Sequence, residues 1–155
     1  MREMERVLHV VGNLDYHRGF MRESRASLVI TDERMIVAFL TTELAKEMKK
    51  QVGGGIKGFI GGVAKTYGHW NEYYEMAPED ILKESPENFE IPLREVREVR
   101  IKSGDSESGK RGELEVKAGK GYKFYEGDAP IHFRELKKTL ESLGIKVKAP
   151  CFAFF

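Results

Sequence analysis

The chain has 155 residues, and its 26 Lys and Arg nearly balance 25 Asp and Glu, for a formal net charge of +1. A chain of this length fits one domain that hides about 70% of its unfolded surface without covalent staples. Its 41% hydrophobic and 33% charged content excludes a disordered chain, its balanced charge argues against a general electrostatic grip on nucleic acid while leaving room for a local basic patch, and its apolar runs stay short of a membrane span.

The first third reads as β-structure. Arg6 to Val11 is β-branched and apolar, and Gly12-Asn13 offers a bulge or bend before Leu14-Asp15-Tyr16. Ser27 to Thr31 and Met35 to Leu40 are apolar runs separated by Asp32-Glu33-Arg34, a hairpin signal with Asp32 suited to open the turn. Both runs are denser in apolar residues than strict alternation requires, as in strands covered on both faces.

The period changes after Thr41. Leu44, Met48, Val52, Ile56, Phe59 and Val63 recur at helical spacing, with Thr41 or Thr42 placed to cap. Six glycines between Gly53 and Gly62 oppose a straight helix, at about 1 kcal/mol each against alanine. A break at the Gly53 to Gly55 triplet competes with a continuous rod. His69-Trp70 and Tyr73-Tyr74 follow as core or interfacial aromatics, and Pro78 to Leu82 reads as a short helix or turn.

Phe89 to Ile91 and Val96 to Ile101 read as strands with a corner at Pro92, and Ser103 to Gly109 as a flexible loop. Leu114, Val116 and Ala118 alternate with charged residues, and Gly119-Lys120-Gly121 turns that strand into Tyr122 to Tyr125. The last element is predicted as an amphipathic helix, capped by Asp128, with Pro130 in its first turn. Its apolar face is Phe133, Leu136, Leu140 and Leu143, and Gly144 is its terminator. Ile145 to Ala149 is compatible with extended structure, and an apolar tail follows at Cys151 to Phe155.

Three strands, a helical insertion, about four more strands and a closing helix resemble the pleckstrin-homology-like (PH-like) fold, in particular the bacterial and archaeal PH-like and GRAM-related proteins. The resemblance rests on Leu28-Val29-Ile30-Thr31-Asp32-Glu33-Arg34-Met35-Ile36, on Ile91-Pro92-Leu93-Arg94-Glu95-Val96, and on the Gly119 to Phe124 hairpin followed by a helix. It covers about residues 5–40 and 88–147. It implies an α+β class: a bent antiparallel β-sandwich or barrel of about seven strands, capped by a C-terminal α-helix. Residues 1–155 would form one such domain, with 41–88 a helical, glycine-rich insertion after the third strand.

Gly54, Gly58 and Gly62 are spaced by four, and on a helix they form a small-residue face opposite Ile56, Phe59 and Val63. Such a face lets a second backbone approach closely. One reading is therefore self-association through this segment, joined by Phe152, Phe154 and Phe155, an apolar tail that is hard to leave in water and that either folds back onto the domain or docks on a neighbouring subunit or partner. The other is an insert whose apolar residues cover the sheet. A basic, apolar-tipped loop between the first strands carries Arg18, Phe20, Met21, Arg22 and Arg25; PH-like domains often meet ligands at that loop. With Lys50 and Lys57 of the insert, it makes an anionic-ligand or lipid surface the alternative.

Catalytic chemistry finds little in the sequence. His9, His17, His69 and His132 are scattered without metal-ligand spacing, and the single cysteine, Cys151, has no placed base and no disulfide partner. The expectation is a non-enzymatic, cytoplasmic binding or scaffold protein without catalytic residues, metal or cofactor. Its partner would be a second copy or another protein, with no nucleic acid; the alternative is a peripheral membrane module.

Overall fold

The computed structural model describes residues 5–17, 23–40, 69–102, 111–127 and 131–149, together with Gly104 and Gly109. Its strands are β1 (Val7–His17), β2 (Glu23–Thr31), β3 (Arg34–Phe39), β4 (Phe89–Pro92), β5 (Glu98–Lys102), β6 (Glu113–Lys117), β7 (Gly121–Tyr125) and β8 (Lys146–Lys148). Among the described residues the helices are α1 (Pro78–Lys83), α2 (Phe133–Ser142), and 3-10 turns at His69–Glu75 and Leu93–Glu95. The class is α+β and mostly sheet.

All eight strands join one sheet in the order β4-β3-β2-β1-β7-β6-β5-β8. The expected count of about seven therefore becomes eight, because Lys146–Lys148 pairs with β5. That pair is parallel, which corrects the wholly antiparallel expectation. Val147 packs on the core from β8, while Lys146 and Lys148 stay exposed, so a three-residue edge strand gains apolar burial without an exposed apolar edge.

One core cluster draws Leu28, Ile30, Val37 and Phe39 from the first half of the sheet and Val99, Leu114, Val116 and Phe124 from the second. The two halves thus face each other across a common interior, as in a β-sandwich. Helix α2 adds Leu136 and Leu140, both fully buried, each contributing about 1.5–3 kcal/mol. Phe133 and Leu143 pack at the margin of that interior, so the whole predicted apolar face is used. The helix begins later than Asp128 would place it: His132 stands at its N-cap without a side-chain cap bond, and 128–130 lie outside the described residues. At its C-terminus Gly144 has φ +80°, its N–H donating to Glu141 and that of Ile145 to Leu140, both at 3.0 Å. This double bond is the Schellman arrangement that satisfies the last carbonyls and turns the chain into β8.

The dense apolar runs of β2 and β3 are explained by a second cluster on the outer face of the first half-sheet. Val29, Ile36 and Ala38 point there, covered by Tyr73 and Ile81. Trp70 lies directly over Gly12, where an added Cβ would stand 2.4 Å from the indole ring. Of the paired aromatics, Tyr73 is buried, whereas Tyr74 is exposed and accepts the Val10 N–H at 3.0 Å.

Strand β1 carries two bulges, each adding one residue against β2: one between Val7 and His9, the other between Val11 and Leu14. Asn13 occupies the second with φ 49°, a conformation Asn tolerates. The β2–β3 turn departs in detail from the sequence reading. Thr31, not Asp32, organises it: the Thr31 hydroxyl accepts the N–H groups of Glu33 and Arg34 at 3.0 and 2.9 Å. Asp32 instead reaches back and accepts the Arg6 N–H at 3.1 Å.

Candidate functional site

The ends of β1, β3 and β6 and the starts of β4 and β7 meet at one end of the sandwich. Between them is a hollow of about 550 Å³ lined by Tyr16, His17, Phe39, Glu87, Phe89 and Lys120. Its floor is an aromatic cluster. Tyr16 lies 5.0 Å from Phe124, 5.7 Å from Phe39 and 6.2 Å from Phe89, and Phe89 lies 5.5 Å from Tyr122. Alternation in four strands aims these rings inward, and at the rim Phe89 and Tyr122 are only half-buried. Lys120 stands over the Tyr122 ring at 5.2 Å, a cation–π pairing that places a positive charge at the mouth.

The turn between β6 and β7 borders two further hollows. One, about 280 Å³, separates it from β4 at Ile91 and Pro92 and from the 3-10 turn at Glu95. The other, about 600 Å³, opens to the far side of the second half-sheet and is lined by Arg97, Lys117, Lys120 and Lys146 with Glu98 and Glu115. The Glu98 carboxyl is held below the usual carboxylate range, first by the Arg100 Nε–H at 2.9 Å and then by Lys148 and Lys146. This end of the molecule therefore offers aromatic surface and lysine charge, which are means of binding.

A larger hollow, about 1140 Å³, lies elsewhere, between the start of β1, α1 and β4. At its centre Arg34 forms a fork with both oxygens of Glu5 at 2.9 Å, meets Glu79 of α1 at 2.8 Å, and bonds Glu90 of β4. Burial pushes its guanidinium down, but the hydrogen bonds to Glu5, Glu90 and Glu79 outweigh this and hold it above its ordinary range. Three carboxylates already occupy Arg34, so it fastens four segments together. Among the described residues no three His, Cys, Asp or Glu side chains converge as metal ligands.

Of the residues singled out in the sequence, Arg25 is described: its guanidinium lies 3.7 Å from Asp15, which also bonds Arg111. Asp15 thereby draws Arg25 into a local charge network. Arg18, Phe20, Met21, Arg22, Lys50 and Lys57 lie outside the described residues, as do Gly54, Ile56, Gly58, Phe59, Gly62, Val63, Phe152, Phe154 and Phe155. The sequence reading missed Lys117, Lys120 and Tyr122. Their signal was the Lys117-Ala118-Gly119-Lys120-Gly121-Tyr122-Lys123 turn, where lysines recur every three residues around two glycines.

His9 supplies a pH dependence. It is buried on β1, and burial first, then His132, hold its imidazole below the usual histidine range, with Glu135 opposing. In the unfolded chain His9 takes up a proton near pH 6.5, where the folded chain resists it. Stability is therefore complete above that pH and declines as pH falls below it. Urea midpoints measured from about pH 7.5 to about pH 5.5 should fall, and the slope should flatten in His9→Leu. An unchanged slope in His9→Leu would assign the effect to other groups.

No family model matches the chain, and no curated protein matches it. Among solved structures it is similar to the hSac2 domain from human phosphoinositide phosphatase Sac2, at 9% sequence identity and a TM-score of 0.48. The match covers 97% of this chain and 80% of that one. Likeness at that level carries no inference about activity. Among the described residues no helix is long and apolar enough to cross a membrane.

Proposed function

We propose that this chain is a PH-like binding and scaffold protein that assembles with copies of itself. The observation that carries the reading is the antiparallel run β4-β3-β2-β1-β7-β6-β5 within the eight-stranded sheet, with helix α2, which follows β7 in the chain, buried in the common core. That is the order of a bent antiparallel sheet sealed at one side by its closing helix. The core residues are apolar, and the described polar surface is arranged as ion pairs and open aromatic or basic hollows, which suits recognition. The glycine face at Gly54, Gly58 and Gly62 and the Phe152 to Phe155 tail supply the self-association in this reading, on sequence spacing alone.

Size-exclusion chromatography with light scattering tests it. The expected result is an oligomer for the native chain and at least ten-fold weaker association for Gly58→Leu, with an unchanged far-ultraviolet β-sheet signal. A clean monomer at about 100 μM would remove the assembly reading. The membrane alternative has one described residue, Arg25, and its engagement with Asp15 makes it the weaker reading.

A further inference from the structure

Among the described residues, the two outer faces of the sandwich carry opposite charge, although the chain as a whole is near neutral. Alternation along β5 to β8 turns Val99, Ile101, Leu114, Val116, Phe124 and Val147 inward and sends the intervening residues outward. Register places these outward residues in rows across the four strands. Lys146, Glu98 and Lys117 form one row, and Lys148, Arg100, Glu115 and Lys123 form the next. Lys102 and Glu113 begin a third, and Arg97 and Lys120 join the first row around the 600 Å³ hollow. This face thus carries eight cations against three carboxylates. Within it Lys146, Lys148 and Lys102 approach carboxylates only at 3.7–4.0 Å, and no ion pair engages Arg97, Lys117, Lys120 or Lys123 among the described residues.

The outer face of the other half-sheet is covered by the segment 69–88, whose apolar residues Trp70, Tyr73, Met76, Ile81 and Leu82 pack downward. The same twenty residues carry Glu72, Glu75, Glu79, Asp80, Glu84 and Glu87 against a single lysine, Lys83. Because the two half-sheets share one interior, these basic and acidic faces look in opposite directions. A single copy cannot bring them together.

We infer that the basic face of one copy docks on the acidic face of the next, a head-to-tail contact between opposite charges. The second copy is the occupant that matches in sign and in extent, since each molecule carries both halves of the pairing. Such a contact is heterologous, so it generates rings or open filaments and not a closed two-fold dimer. It also steers association and weakens with salt, because the Debye length falls from about 10 Å at 0.1 M to about 3 Å at 1 M. The inference deepens the self-assembly reading by naming the surfaces, and it is independent of the glycine spacing.

Two charge-reversed variants test it by light scattering: Lys117→Glu/Lys120→Glu/Lys123→Glu/Lys148→Glu, acidic on both faces, and Glu72→Lys/Glu75→Lys/Asp80→Lys/Glu87→Lys, basic on both. Thermal midpoints close to that of the native chain establish that each is folded. The native chain should lose at least ten-fold in association between about 50 mM and about 500 mM NaCl. Each variant alone should be monomeric at low salt, and an equimolar mixture should reassemble, since every contact then pairs an acidic with a basic face. Assembly by either variant alone, or a mixture that stays monomeric, overturns the charge pairing. Assembly that ignores salt and both reversals but yields to Gly58→Leu overturns it while leaving self-association standing. A native chain that is monomeric at low salt removes both.

Discussion

Arg34→Ala is expected to lower the free energy of unfolding by about 3 kcal/mol, seen as a fall in the urea midpoint at constant slope. The side chain is 12% exposed, and Glu5 opposite it is 11% exposed, so removing the guanidinium leaves a carboxylate with little access to water and with the Thr31 hydroxyl in place of a cation. Glu79 and Glu90 are 61% and 43% exposed and contribute far less, because water already screens them. The effects should therefore rank: Glu5→Gln destabilises by about 1–2 kcal/mol, whereas Glu79→Gln stays within about 0.5 kcal/mol. Arg34→Lys should keep most of the loss, since an ammonium cannot present the planar fork that holds both Glu5 oxygens. A lysine variant as stable as the native chain would show that charge alone, and not geometry, fastens the first strand to β3, β4 and α1.

The second large effect is expected at Gly127. The bulge of β1 at Asn13, with its φ of 49°, aims the Asn13 carbonyl at the backbone that follows β7. A Cβ on Gly127 would stand 2.0 Å from that oxygen and 3.2 Å from its carbon, both backbone atoms held in the sheet. Gly127→Ala should cost about 3 kcal/mol or more, at the upper end of overpacking penalties, because neither strand can retreat without breaking the β1–β7 pairing at Asp15 and Tyr16. Gly119→Ala is the matched control. A methyl group there would meet no heavy atom within 4 Å, so the stability of that variant should move little, within about 0.5 kcal/mol. Equal effects at the two glycines would mean that chain flexibility, and not the close approach, sets their worth.

Much of the architecture is legible in residue order. The alternation of Leu114 and Val116 with charged neighbours marks β6, and Phe133, Leu136, Leu140 and Leu143 mark α2 with Gly144 as its stop. These signals are local: the period of burial is written in the strand or helix that is buried. The double coverage of β2 and β3 was legible in the same way, since Val29 and Ile36 are apolar where a solvent face would be polar.

Other features resist such reading because their cause lies far along the chain. Thr31 outweighs Asp32 in the turn because Arg6, 26 residues away, takes the aspartate. Arg34 looked like an ordinary turn residue until Glu5, Glu79 and Glu90, from three separate segments, closed around it. The candidate site was legible only as a lysine-and-glycine turn, since the aromatic floor beneath Lys120 is assembled from β1, β3, β4 and β7. Strand β8 lies inside the stretch read as extended, but its parallel pairing with β5 was not legible, since three residues carry no mark of their partner.

Among the described residues, residue order by itself determined the main strands, their inward faces and the closing helix, because each depends on side chains a few positions apart. The tertiary structure decided which strand neighbours which, that β8 runs parallel to β5, and that opposite charges collect on opposite outer faces. The overall charge of +1 conceals that last property. A composition counts charges without regard to direction, whereas folding sorts them by the side of the sheet on which each residue emerges.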